Sequence, residues 1–323
     1  MDGRVLVTGA TGFLGKAVLR RLGPTCVGQG RNPERCAALA KEGLSVVQWG
    51  LPNAAPEGLA LRGVDAVVHC AALSSPFGRD AVFHAANVLG TQSVLDFARA
   101  QNVKRFVFIS SPSVYFALRD QVDVSEEVPL PAPFTAYAKS KIAAEKLVRD
   151  ATDLGPIILR PRGIYGPGDS TLLPRLLKIA SARALPRFRG GRARIDLTFV
   201  DDVVSAVVSA LEAKQDIEGQ AFNISGGEVV PVSSIVEMAC ARAGIVPRWR
   251  TMPLVPALVA ARVAETLALM RCDPREPLVT RYALGLFAFE QSLDISKARD
   301  ALGWVPQVRF AEGLERVFDE GAA

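Results

Sequence analysis

Tyr137 and Lys141 form Y-x-x-x-K within a predicted helix over Thr135–Ala151. The i,i+4 spacing puts both side chains on one helix face. A free tyrosine, with a pKa near ~10, is a poor base at neutral pH. A neighbouring ammonium favours the phenolate and lowers that value, so Tyr137 can exchange a proton with a carbinol oxygen. Upstream, Ser110, Ser111 and Ser113 surround Pro112 at the end of a predicted strand, Arg105–Ser110. Hydroxyls at the carboxyl end of a parallel strand lie where such sheets bind ligands, and a serine there can hold the reacting oxygen. Turn chemistry beside Pro112 accounts for some of the three. Taken alone, Y-x-x-x-K is as compatible with an ordinary amphipathic helix as with catalysis.

A second motif lies at the first predicted strand–helix junction. Thr8–Gly15 reads TGATGFLG, a G-x-x-G-x-x-G loop between the strand Arg4–Thr8 and the helix Lys16–Leu22. Gly9 permits the tight turn, Gly12 lets backbone approach a pyrophosphate, and Gly15 lets the helix pack close to the strand. The free N–H groups and the positive end of the helix dipole then face the phosphates. Gly9, Thr11, Gly12, Phe13, Leu14 and Gly15 are the candidate cradle.

These motifs need a scaffold, and the apolar runs supply one. Further strands are predicted at Thr25–Gly28, Ser45–Gln48, Ala66–His69, Pro156–Arg160 and Ala221–Ile224, with a long helix over Ala81–Gln101. Strands alternating with helices imply βαβ units and a parallel sheet, and almost wholly apolar strands imply helices on both faces. The fold expected is α/β, a doubly wound Rossmann sheet with a smaller, mostly helical C-terminal substrate lobe. Residues 1–167, with 198–225 returning to the sheet, form the dinucleotide-binding domain. Residues 168–197 and 226–323 form mainly the substrate lobe. The 323 residues suit this, at about 100–200 residues per domain.

Composition narrows the classes. Forty-nine per cent hydrophobic residues provide an ample core. The net charge of +5 reflects arginines spread over the surface, and aromatics are too few for a nucleic-acid stripe, so no nucleic-acid partner is expected. One arginine cluster stands out, Arg187, Arg189, Arg192 and Arg194. Cys26, Cys36, Cys70, Cys240 and Cys272 are scattered, with no C-x-x-C and two histidines, so no metal site and a reducing, cytoplasmic setting are expected. The Asn223-Ile224-Ser225 sequon is then a chance match. Met252–Met270 is nearly all apolar, but Arg262 and Glu265 interrupt it. It is read as a cap helix, with peripheral membrane contact as the sharper alternative and no transmembrane span.

The motifs taken together resemble the extended short-chain dehydrogenase/reductase family over essentially the full chain. They are TGATGFLG at 8–15, DAVVHCAA at 65–72, NVLGT at 87–91, SSPSVY at 110–115, YAKSK at 137–141, LRPRGIYGPGD at 159–169 and FVDDV at 199–203. The resemblance implies Tyr137 as general acid/base, Lys141 on the nicotinamide ribose, and Ser111 on the substrate oxygen, with Ser113 next. It implies reversible hydride transfer between a nicotinamide and a secondary alcohol or ketone. Ala71, Ala72, Asn87 and Ser110 would line the cofactor cleft, and backbone around Arg160, Pro161 and Ile164 would face the carboxamide. It also implies a homodimer through the Tyr–Lys helix, with Ala138, Ala143 and Ala144 allowing close packing.

By the family's pattern an acidic residue at the end of the second strand favours NAD. Here Gly30 holds that position and Arg31 follows, which suits a 2′-phosphate and favours NADP over NAD. Nucleotide-sugar epimerases and dehydratases of the family carry polar anchors where this chain has Gly163 and Ile195. The branch of 3β-hydroxysteroid dehydrogenases and β-keto acid reductases is closer, so a hydrophobic alcohol or ketone is the expected substrate. A nucleotide-sugar epimerase or dehydratase is the alternative, and a non-catalytic cofactor sensor the third reading.

Overall fold

The apolar runs become strands where their alternate residues can face two separate cores. A computed structural model describes residues 3–58 and 61–320. The chain opens with β1 (Arg4–Thr8), α1 (Phe13–Leu22), β2 (Cys26–Gly30), α2 (Pro33–Lys41), β3 (Val46–Gln48) and β4 (Val64–His69). It continues through α3 (Asp80–Phe83), a π-helical turn (His84–Leu89), α4 (Gly90–Ala100), β5 (Arg105–Ile109), β6 (Gln121–Val124), α5 (Ala136–Asp150) and β7 (Pro156–Pro161). Then come β8 (Ile164–Tyr165), α6 (Leu173–Ala182), β9 (Leu185–Arg187), β10 (Arg194–Asp196), β11 (Thr198–Phe199), α7 (Val200–Glu212) and β12 (Ala221–Ile224). The rest is β13 (Val229–Pro231), α8 (Val232–Arg242), β14 (Trp249–Thr251), α9 (Leu254–Leu269), α10 (Arg281–Ala288), β15 (Gln291–Leu293), α11 (Ser296–Leu302) and α12 (Phe310–Glu320).

The main sheet has the order β12-β7-β5-β4-β1-β2-β3, parallel throughout. Val5 and Val7 of β1, with Val107 and Ile109 of β5, face a core shared with α1 and α7. Leu6, Phe106 and Phe108 face the opposite core, under α4 and α5. Each such side chain contributes about 1.5–3 kcal/mol when fully buried. The strand order reverses between β1 and β4, and the crevice at their carboxyl ends is where doubly wound sheets bind ligands.

The lobe beyond this sheet is mostly helical, and it also holds a small mixed sheet, β13-β10-β15-β6. Its strands are three or four residues long and come from four distant segments, one of them within residues 1–167. Other differences from the predicted elements have local causes. The second strand runs to Gly30 rather than Gly28, because the polar Gln29 is buried and bonded on both sides. The helix predicted over 81–101 is interrupted by the π turn that carries Asn87.

Candidate active site

The glycine-rich loop is shaped by contacts that leave no room for side chains. Gly9 has φ +67°, and a Cβ there would lie 2.8 Å from the Ala71 backbone nitrogen. A Cβ on Gly15 would collide with the Gly9 carbonyl. Gly12 caps α1 without a side chain, and the first turn contains no acidic residue. The N–H groups and dipole of α1 are therefore available to an anion, and the cradle fits a dinucleotide pyrophosphate. Thr11 is half-buried beside the loop, Phe13 and Leu14 open the helix, and Arg31 is exposed just past β2.

Two side chains absent from the sequence-level candidates hold this loop. Gln29 accepts a hydrogen bond from the Gly9 N–H at 2.9 Å and donates to the Trp49 carbonyl. His69, at the end of β4, bridges Thr8 and Thr91 at 2.6 and 3.0 Å. The Thr91 hydroxyl donates to the Asn87 carbonyl at 2.6 Å, so it accepts from His69 Nε2–H, and His69 Nδ1 accepts from Thr8. The Thr8 oxygen in turn accepts from the Ala71 N–H at 3.2 Å. Burial pushes the imidazole down to about 3, aided by the Lys141 charge, so His69 is neutral.

Asn87 fastens the cleft wall. Its amide accepts from Leu73 N–H at 2.7 Å, donates to the Leu73 carbonyl at 3.1 Å and donates to Ser140 Oγ at 2.8 Å. The Ala71–Leu73 segment is thereby tied to α5, with Ala71 half-buried and Ala72 exposed.

α5 is N-capped by Thr135, whose hydroxyl accepts the Ala138 N–H at 3.1 Å. That cap sets the register bringing Tyr137 and Lys141 to the sheet. Lys141 is 3% exposed, donates to the Ile109 carbonyl at 2.7 Å and lies 4.5 Å from the Phe108 ring centroid. Burial lowers it to about 8, against the raising influence of Glu145 and Cys70. Tyr137 stands with the hydroxyls of Ser111 and Ser74. Its pKa was expected to be lowered by Lys141; instead burial pushes it up to about 12, opposed by hydrogen bonds with Ser111 and Ser74. The Lys141 ammonium is turned to the end of β5.

Among the other candidates, Ser110 is buried and its hydroxyl donates to Glu145 at 2.5 Å, away from the cleft. Ser113 is also buried, and its backbone N–H donates to Ser111 Oγ at 3.2 Å. Pro161 ends β7 beside Ile224, and Ile164 pairs with Thr198. Arg160 contributes more than backbone: its guanidinium is buried against Glu145 and Tyr115. Glu145 follows Lys141 on the same helix face, but its partner Arg160, like those of Gln29 and His69, is supplied by another element. Of the alanines expected to pack against a second copy, Ala138 and Ala144 are instead buried in the chain itself, while Ala143 is half-buried.

The model of the NAD dependent epimerase/dehydratase family matches residues 5–225. The chain belongs to this family. It is 33% identical to a 2-alkyl-3-oxoalkanoate reductase of Stenotrophomonas maltophilia (strain K279a), over 99% of this chain and 100% of that one. It is 29% identical to a sterol-4-alpha-carboxylate 3-dehydrogenase, decarboxylating, of Mus musculus, over 80% of this chain and 74% of that one. Among solved structures, UDP-glucuronic acid 4-epimerase from Bacillus cereus in complex with NAD matches with a TM-score of 0.74 at 25% identity, covering 98% of each chain. This member of the epimerase/dehydratase family is a nicotinamide-dependent oxidoreductase of the extended short-chain dehydrogenase/reductase type.

Proposed function

We propose that the chain is a ketoreductase/dehydrogenase for a hydrophobic ketone or secondary alcohol, with NADP as its preferred cofactor. The observation that carries the substrate class is the aromatic wall beside Tyr137. Phe116 packs on Phe134 at 4.9 Å and on Tyr282 at 4.6 Å between ring centroids. Tyr282 lies near enough that ionising it would oppose ionisation of Tyr137, and the Phe83 ring centroid is 6.2 Å from that of Tyr137. Such a lining favours an apolar ligand held by few polar groups.

In this reading the glycine loop and α1 hold the pyrophosphate, and Lys141 holds the ribose. When bound, the nicotinamide supplies or accepts the hydride. Ser111 and Tyr137 orient the carbonyl oxygen, and Tyr137 donates its proton to that oxygen in reduction. High proton affinity in the closed site keeps Tyr137 protonated as an acid. Lys141 then supports the phenolate left behind. The NADP preference is supported at Gly30, where a Cβ would lie 2.5 Å from the Thr11 methyl and 2.8 Å from Cys36 Sγ. No carboxylate fits there, and the exposed Arg31 follows.

The nucleotide-sugar alternative lacks its anchors. Glycine holds the first position here: Gly163 has φ +51°, and a side chain there would have to displace the Leu197 methyl 2.4 Å from its Cβ. Ile195 is an aliphatic strand residue paired with Val230. In the nearby cluster, Arg189 is held by Asp120, Arg194 donates to the Val229 carbonyl, and Arg187 stacks over Trp249. Homodimerisation is retained in the proposal, through the outward sides of the α3–α5 region, where Val82 and Leu89 are exposed. A cytoplasmic setting rests on the scattered cysteines.

The deciding experiment follows nicotinamide absorbance with NADP(H) and NAD(H) in parallel on hydroxysteroids and long-chain β-keto acids, with Tyr137→Phe as control. Turnover that vanishes in the control supports the proposal. Isomerisation or dehydration of a nucleotide sugar, with no net cofactor turnover on the panel, sinks it.

A further inference from the structure

The cap helix α9 is built inside out. Beyond its first turn, held by Leu254 and Leu258, its apolar side chains toward the protein are small: Ala261 and Ala268 are buried, Ala257 and Ala264 half-buried. Together with Leu254 and Leu258, Ala257 and Ala261 pack on the cluster of Phe188, Leu284 and Ala288. Four larger apolar side chains face outward. Val255, Val259, Val263 and Leu267 recur every four residues, and their exposures are 70, 58, 53 and 59%. Met270, just past the helix, is 78% exposed and extends the stripe. An ordinary surface helix turns its large apolar residues inward and its charges outward. A contiguous apolar stripe of this length marks a contact surface.

The charges around the stripe choose the occupant. Glu265, the one acidic residue on α9, is turned inward and pairs with Arg281 at 2.7 Å. Arg262 is exposed on the outward side with no ion pair among the described residues, and Arg250 and Arg271 are exposed at the two ends. The exposed Asp273 is matched by Arg275. The face is therefore apolar with a cationic margin. A second copy docking here by a two-fold axis near Val263 would set Arg262 against Arg262. An anionic lipid surface would meet both features favourably.

We propose that α9 is a docking helix that lies in the plane of an anionic membrane surface. Among the described residues no helix is long and apolar enough to cross a membrane, so the contact is interfacial. α9 packs on α10, which carries Tyr282 toward the aromatic wall beside Tyr137. Docking thus brings the substrate side of the cleft to the lipid surface. The proposal stands whatever the substrate proves to be.

Vesicle flotation of the full chain tests it, with phosphatidylcholine alone and phosphatidylcholine containing phosphatidylglycerol. The expected result is flotation with the anionic vesicles that weakens with salt. It should fall at least tenfold in Val259→Glu/Val263→Glu and a few-fold in Arg262→Gln, with Tyr137→Phe binding normally. Unchanged circular dichroism in the variants separates lost docking from lost folding. No flotation with either vesicle overturns the proposal. So does concentration-dependent self-association through α9, abolished by the same glutamates, which would assign the stripe to a second copy.

Discussion

Glu145 grips Arg160 with both carboxylate oxygens, at 2.9 Å to Nε and 2.5 Å to Nη2, one helical turn beyond Lys141. The pair is all but fully buried. Glu145 also accepts from Ser110, and Arg160 donates to the Tyr115 hydroxyl, which donates to Asn223 at 3.0 Å. The ion pair thereby ties α5 to the ends of β5, β7 and β12. It also secures the strand end whose Ile109 carbonyl receives Lys141. Glu145→Gln leaves a buried guanidinium without its counter-charge and should cost about 3–5 kcal/mol, with Arg160→Met losing a similar amount. Urea unfolding of the single and double variants checks this, and strictly additive losses would contradict a shared interaction.

Tyr137→Phe should lower turnover by about 10²–10⁴-fold, the usual contribution of a positioned proton donor. Cofactor affinity should change only a few-fold, because the cradle is built by α1 and the Gly9 turn. Ser111→Ala should be the milder loss. Steady-state rates combined with cofactor titration separate the two effects, and a Tyr137→Phe enzyme of normal turnover refutes the proposed role.

Lys141 sits at about 8 in the free protein because burial disfavours its charge. Its ammonium is present below that pH and lost above it. Cofactor binding to the free enzyme should therefore weaken as pH rises through about 8. Fluorescence titrations between pH 6 and 10 measure this, and a dissociation constant flat across that range would remove Lys141 from the binding site.

His69 gives the opposite limb. Its folded value, about 3, lies below the ordinary imidazole value of 6.5. Between those values the unfolded chain takes up a proton that the folded chain refuses, so stability falls as pH falls below about 6.5. The loss is at most about 1.4 kcal/mol per pH unit. His69→Gln should flatten the acid side of the stability profile, and an unchanged slope would place the acid sensitivity elsewhere.

Arg31→Ala should weaken NADPH by about 1.5–3 kcal/mol, the value of hydrogen bonds to charged groups, and leave NADH nearly untouched. Gly30→Asp, the obvious way to invite NAD, should instead damage the loop, since Thr11 and Cys36 already fill that space. Binding of both cofactors to each variant decides the matter. A clean switch to NAD in Gly30→Asp would show that the loop yields where the packing says it should not.

The sequence was most legible where function is written locally. The glycine loop and the Tyr137–Lys141 spacing each lie within eight residues, and their elements form at the expected places. The supporting residues were hidden because their partners are remote: Gln29 meets Gly9 and Trp49, His69 meets Thr8 and Thr91, and Glu145 meets Arg160. The small mixed sheet was hidden for a related reason. Strands of three or four residues are too short for a period-2 pattern to emerge. The inward turn of Ala138 and Ala144 could not be read from small size alone, which suits either a tight core or a tight interface.

That small sheet also sets an order of assembly. Gln121 of β6 aligns with Gln291 of β15, 170 positions later. Gln121 further ties itself to the loop after Ser111, donating to the Tyr115 carbonyl at 2.8 Å and accepting from the Ala117 N–H at 2.9 Å. During synthesis, strands β1–β5 and β7 can pair as they leave the ribosome, whereas β6 must wait for residue 291. Contacts of such long range form slowly, and an unpaired strand is open to wrong partners meanwhile. The serine loop is therefore among the last parts of the cleft to settle, and a nascent chain can own a finished dinucleotide cradle well before it owns an active site.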